Sequence, residues 1–327
     1  MTSVSTQKNA VWAGAFGAFL FATHMVAQAQ DYPNKPIRLV TAAAAGGSGD
    51  TVTRITGNAL SEVLGVTVVV ENKPGGAFII GVDSVAKAAP DGYTLLNSNL
   101  NGLDILPSPE KLPYNPEKDL VPVAMVAMAD ALIVISSKLG PKNLKELIAL
   151  AKANPGKLTF ASSGPASVTG FDGELFKLRT GMDILHVPFK GGAQYLTEVM
   201  GGRIDIGISG AIAWPHIKAG NLLPIMLMGP RRIPLMPDVP TGPELGFPDL
   251  VGGSWYGVMA PAGVPQPIIQ KLAKALEEAT KSSKFAEAHA RQGNYVRYEG
   301  PEQFAKLIAE ERKFKRAVAK EANIKFR

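Results

Sequence analysis

Residue types that usually carry chemistry are sparse in this sequence. Its 327 residues include no cysteine and four histidines. Zero cysteine excludes thiolate metal sites, cysteine nucleophiles and disulfides. His24, His186, His216 and His289 stand apart, and none shows metal-ligand spacing with another histidine or a close carboxylate pair. The motif G-x-S-x-G is absent; Gly207-Ile208-Ser209-Gly210 is the nearest approach, and nothing in the sequence pairs a nucleophile with a base. Asp205, in RIDIGIS, is an acid inside an otherwise apolar run. A buried acid needs bonds, so it either orients a ligand group or water, or holds a helix N-terminus.

The chemistry offered instead is that of the backbone. Residues 41–50 read TAAAAGGSGD, between the aliphatic run IRLV and the helically spaced TVTRITGNALSEVLG. In an open parallel sheet, ligands sit beyond the carboxyl ends of the strands, where a small-residue turn opens a helix. The first amides of that helix lack internal partners, and its dipole favours negative charge. Ala44, Ala45, Gly46, Gly47 and Asp50 are therefore candidate anion-site residues; the alternative is a tight turn with no ligand. Nucleotide fingerprints do not fit: no lysine follows Gly46-Gly47-Ser48-Gly49, and the spacing is not G-x-G-x-x-G.

The same layout recurs. Ser162-Ser163-Gly164-Pro165-Ala166-Ser167, Gly191-Gly192 and Gly75-Gly76-Ala77 each stand before a helical run. Ser162, Ser163, Ser167 and Gly192, with Ser98 at the end of the strand-like YTLLNSN, complete two facing walls of amides and hydroxyls. Phe78 is expected to lean into the cleft between them, and Trp214 and Trp255 are either core or cleft-lining. Charge-assisted hydrogen bonds contribute about 1.5–3 kcal/mol each, so three or four can hold a micromolar ligand.

These turns need a scaffold. IRLVT, a helix over about 50–64, VTVVVEN, IIGVDSVAKAA and YTLLNSN give a βαβαβ order, and so a parallel sheet covered by helices. An irregular stretch over 99–121, rich in proline, separates it from a second series: ALIVIS, NLKELIALAKA, KLTFASS, a helix with Phe171, Leu175 and Leu178, DILHVPF, GGAQYLTEVMGG and RIDIGISG. SWYGVMAP is a further strand, and the helices after it are expected to complete the first domain. The chain reads as α/β with two lobes: residues 30–131 with 255–327, and residues 132–254.

At 46% hydrophobic and 19% charged residues the composition is globular. The formal charge of +6 is scattered, and the basic C-terminal segment mixes acids at helical spacing, the pattern of a solvated face and not of a nucleic-acid surface. Residues 1–29 combine a lone cation, Lys8, an apolar run from Ala10 to Ala22 and the A-x-A site Ala27-Gln28-Ala29. This is the pattern of a secretory signal peptide cleaved after Ala29, the alternative being an N-terminal anchor.

Taken together, YPNKPIRLV, GGSGDTVTR, VVVENKPGGAFIIGVDSVAKAAPDGYTLL, LPYNPEKDLVPVAMV, HVPFKGG, GGRIDIGI, IKAGNL, PLMPDVPTGPELGFP and WYGVMAPAGVP resemble the receptors of the tripartite tricarboxylate transporter family, of the Bug type. The resemblance implies a type II periplasmic binding-protein fold, two lobes joined by two crossover segments and closing on a small carboxylate. It also implies a periplasmic monomer without cofactor, metal, enzymatic activity or nucleic-acid partner, which hands its ligand to a membrane permease or, alternatively, signals to a sensor kinase. Carried over, one carboxylate would meet 44–50 and a second polar end 162–167, with Asp205 near that second site. Many members have a Pro-Phe loop where this chain has Ala42-Ala43-Ala44-Ala45. That departure widens the pocket or removes a stacking surface, and leaves di- and tricarboxylates, amino acids and aromatic carboxylates open.

Overall fold

A computed structural model describes residues 32–100, 103, 112–165, 167–189 and 191–324. The proposed signal peptide, Ala166 and most of the proline-rich stretch lie outside the described residues. The first half is the expected βαβαβ unit: β1 (Ile37–Thr41), α1 (Ser48–Leu64), β2 (Val68–Asn72), α2 (Ile79–Ala86) and β3 (Thr94–Ser98). β1 lies between β2 and β3, parallel to both. Helix α1 stops where Gly65 takes a left-handed conformation, φ 69°, and returns its N–H to Ser61.

The second half repeats the pattern with α3 (Leu144–Ala153), β5 (Thr159–Ser162), α4 (Val168–Thr180), β6 (Leu185–Pro188), α5 (Gly192–Gly201) and β7 (Ile206–Ser209). β5 pairs in parallel with β6 and β7. Two long strands join the halves. β4 (Leu120–Ser136) runs antiparallel to β9 (Gly253–Pro261) and β10 (Tyr295–Glu299) over its first part. Over its second part it runs antiparallel to β7 and to β8 (Leu222–Met228). The sheets are therefore mixed, a correction to the expectation of two parallel-sheet lobes: each parallel trio is extended by antiparallel strands.

β4 also corrects the irregular stretch expected up to residue 121 and the short strand expected at 131–136. Its residues are buried on both faces, so no alternation marks it. Pro122 sits where the register with β9 shifts, a bulge that needs no amide from it. Pro224 does the same in β8, a strand the sequence reading did not identify.

A short helix, α6 (Trp214–Lys218), precedes β8, and α7 (Gln266–Thr280), α8 (Ser283–Arg291) and α9 (Pro301–Glu321) follow β9. α9 fastens both halves. Phe304 and Ile308 enter the core around Leu96 and Trp255, where the Trp255 and Phe304 rings meet edge to face at 4.8 Å. Val318, about three turns on, enters the core around Phe160 and Phe171 in the other half. Trp255 is thus core rather than cleft-lining.

Helix α4 lies so close to β5 that a methyl added at Gly173 would come within 2.2 Å of the Phe160 ring. Gly173→Ala should destabilise the fold by about 1–3 kcal/mol, as overpacking does. Urea unfolding would show this as a lower midpoint at unchanged slope; an unchanged midpoint would mean that the helix can lift away freely.

Candidate functional site

The carboxyl ends of the parallel strands open into one cavity of about 810 Å³. Four helix starts border it: Gly47, Ser48 and Gly49 at α1, Phe78 and Ile79 at α2, Ser167, Val168 and Thr169 at α4, and Gly192 at α5. Three of the four have no side-chain cap, those entered from Gly47, Phe78 and Gly191. Only α4 is capped, by Ser167, whose hydroxyl accepts from the Gly170 N–H at 3.0 Å. Uncapped first-turn amides have no intrahelical acceptor. Among the described lining residues there is no lysine, arginine or histidine. The described lining thus offers an anion backbone amides and helix dipoles, and no cationic side chain.

The bare turn has two physical causes. Ala42 and Ala43 are small because helices press on them: a methyl at Gly81 would come within 2.6 Å of Ala42, and one at Gly49 within 2.8 Å of Ala43. Ala44 and Gly47 are exposed, and all four residues line the cavity. Packing thus adds to access as a reason for small residues at Ala42 and Ala43.

Of the expected residues, Ala44, Gly47, Phe78, Ser163, Ser167 and Gly192 line this cavity. Phe78 does so from a left-handed backbone, φ 77°, which costs a non-glycine residue about 1–3 kcal/mol. Ala45, Gly46, Asp50, Ser98, Ser162 and Asp205 are not in the lining. Asp50 is buried and folds back on its own turn: one oxygen accepts from the Gly46 N–H at 2.9 Å, the other from Asn72 at 2.9 Å, and Arg54 Nε lies 3.0 and 3.1 Å from the two oxygens. Asn72 also donates to the Ala43 carbonyl at 3.1 Å. Burial would raise the Asp50 pKa, but the hydrogen bonds from Gly46, Asn72 and Arg54 outweigh it and hold it below the ordinary value. The Gly46 amide is consequently spent on Asp50.

Ser98 donates to the neighbouring Asn99 carbonyl, and it is Asn99 that reaches the cavity. Asp205 accepts from the Thr159 N–H and hydroxyl at 2.8 and 3.0 Å, at the start of β5, the opposite end from the cavity-forming turn. Its two expected roles, at a ligand and at a helix N-terminus, are replaced by tying the β5 entrance to β7.

Ser162 and His186 overturn the reading that nothing pairs a nucleophile with a base. They lie 24 residues apart but on adjacent parallel strands, with Ser162 Oγ 2.7 Å from His186 Nε2 and Glu174 3.7 Å from Nδ1. The order resembles a serine–histidine–acid relay. Ser162, however, is fully buried, and its hydroxyl also accepts from the Gly164 N–H at 3.1 Å. The relay fixes the turn that presents Ser163 and Gly164. Burial, opposed by Glu174, lowers the His186 pKa and favours the neutral ring.

Sequence reasoning missed two acids in the lining, Asp130 on β4 and Asp172 on α4. Asp130 accepts from the Tyr295 hydroxyl at 3.1 Å, and Asp172 from the Gly253 N–H at 2.9 Å; the second oxygen of each has no partner among the described residues. Burial raises the pKa of Asp130 to about 6 against Tyr295, Arg231 and Arg297, and that of Asp172 to about 7 against Lys315. Asp172 lay in a helix read only for its apolar face; its one signal is the short run Gly170–Gly173, which lets α4 sit deep.

The chain matches the family described as "Tripartite tricarboxylate transporter family receptor" over residues 52–324. This protein belongs to that family. Protein BugT of Bordetella pertussis is 38% identical over 289 residues, 86% of this chain and 88% of BugT. A solved periplasmic transporter, 37% identical, superposes with a TM-score of 0.78 over 90% of this chain and 100% of that one. MatC of Rhodopseudomonas palustris, solved with bound malate, is 30% identical, with a TM-score of 0.73 over 88% of this chain and 99% of that one. The receptor has the type II periplasmic binding-protein fold of these neighbours.

Two substitutions should shift stability in opposite directions. A carboxyl with a depressed folded pKa stabilises above the unfolded value of about 4 and loses that contribution as pH falls through the folded value. Asp50→Ala should therefore lower stability at pH 7 by about 1–3 kcal/mol and by less at pH 3. A carboxyl with a raised folded pKa has its favourable contribution below the unfolded value and loses it as pH rises through the folded one. Asp172→Asn should therefore stabilise at pH 8 by on the order of 2 kcal/mol, an advantage that fades towards pH 4. Denaturant melts across pH measure both, and parallel curves for either variant and the wild type would contradict the assignment.

Proposed function

We propose that this receptor captures a small carboxylate in its cavity and delivers it to a membrane permease of the tripartite tricarboxylate type. The observation that carries the reading is the cavity bordered by four helix starts, three of them without side-chain caps, with no basic side chain in its described lining. Such a wall suits a compact anion that can approach backbone amides closely, and the malate bound by MatC is an anion of that kind. Residues 30–131 with 255–327 form one lobe and residues 132–254 the other. They close over the ligand, and the closed form is what the permease recognises. The leader is removed after Ala29 and the mature chain acts in the periplasm as a monomer, without chemistry of its own.

Supporting this, the cavity holds the exposed ends of the Ala42–Gly49 and Ser163–Thr169 turns in one space, so a ligand a few ångströms long contacts elements from both halves. Binding to one state stabilises it by mass action.

The mature protein should show a thermal shift with malate or a neighbouring C4–C6 carboxylate, corresponding to about 2.7 kcal/mol at a hundredfold excess over Kd. Deleting the gene should abolish uptake of the same compound. A carboxylate panel without any shift would contradict ligand capture; binding with uptake intact would contradict delivery.

A further inference from the structure

A cavity that recruits anions through helix starts and yet places two acids in its wall presents an electrostatic contradiction, and the two acids resolve it differently. Asp130 has two guanidinium groups acting on it, Arg231 and Arg297, besides the Tyr295 hydroxyl. Its charge is matched from outside the cavity. Asp172 is fully buried at the cavity wall, and the charges acting on it are Lys315 and Glu311, both from α9. Lys315 is itself 3% exposed, its ammonium 4.7 Å from the Phe171 ring centre, and Glu311 accepts from the Trp255 indole N–H at 3.0 Å. Lys315 is shared between the two carboxylates, and Glu311 has Arg297 as a second cation while Asp172 has no other. Asp172 lines the cavity, and its Oδ1 has no partner among the described residues while Oδ2 holds the Gly253 N–H.

A buried charge is stable only when paired or neutralised. The missing positive charge is supplied either by a proton or by something that enters the cavity. We propose that Asp172 is the subsite for a protonated amine on the ligand, so that the receptor selects an amino-carboxylate: carboxylate on the uncapped helix starts, ammonium towards Asp172. This rests on the carboxylate-receptor reading and narrows it. It makes Asp172 a specificity-determining residue that acts by attraction of an amine and equally by repulsion of a second carboxylate, which would bring like charge to the end of the cavity already short of a cation. A zwitterion adds no net charge and completes the Asp172–Lys315–Glu311 group.

The test is calorimetry of the mature full chain at pH 7 with matched pairs: propionate and alanine, butyrate and 4-aminobutyrate, hexanoate and 6-aminohexanoate, with malate and glutarate as dicarboxylates. The expected result is an amino member that binds about tenfold or more tighter than its deaminated partner, as a charge-assisted bond would give. That preference should collapse to below about threefold in Asp172→Asn. A second measurement does not depend on the variant: an ammonium favours the ionised Asp172, so binding should release protons, seen as heats that change with the ionisation enthalpy of the buffer. Malate or glutarate binding as tightly as the amino acids, proton uptake in place of release, or a preference surviving Asp172→Asn would overturn the subsite and leave the carboxylate receptor standing. Silence across every carboxylate would overturn both.

Discussion

The carboxylate of Asp50 holds the first turn of the site in shape, and the rest of the cavity depends on that turn. Its oxygens take the Gly46 amide, Asn72 and Arg54, and Asn72 reaches on to the Ala43 carbonyl. The clamp leaves the Ser48 and Gly49 end of α1 facing the cavity while keeping the chain before it folded. A cavity without a cation in its described lining has no long side chain to adapt to an anion. Its donors are fixed in the backbone, so their placement must be enforced by bonds such as these. The relay through Ser162, His186 and Glu174 does the equivalent for the second wall.

Beneath the site the two halves share continuous elements instead of a flexible linker. β4 contributes to the sheet of each half, β9 pairs with its first part up to Asp130, and α9 inserts Phe304 and Ile308 into one core and Val318 into another. Asp172, Gly253, Trp255, Glu311 and Lys315 meet near this junction. The cavity wall at Asp172 thus borders the helix that fastens both halves.

Much of the fold could be read because local signals and tertiary demand agree. Alternating strand and helix runs and the small-residue turns reappear in place. The first part of β4, before ALIVIS, was missed because burial on both faces removes alternation. The site was legible where it is backbone and illegible where it is side chain. A carboxylate four residues into a glycine turn looks the same whether it faces a ligand, as Asp50 was expected to, or folds back on Gly46. Asp172 and the Ser162–His186 pair exist as chemistry only through contacts 24 to more than 140 residues apart in sequence, which no local pattern encodes.

In the proposed function, backbone amides at helix starts, and no cationic side chain of the described lining, hold the anion. The most direct measurement is the amide spectrum of ¹⁵N-labelled mature protein titrated with a carboxylate that binds. The largest downfield proton shifts should fall on the first-turn amides of α1 and α5, those of Ser48, Gly49 and Gly192 among them, with the arginine side-chain resonances unmoved. Shifts centred on arginine side chains, or on the basic face of α9, would contradict it.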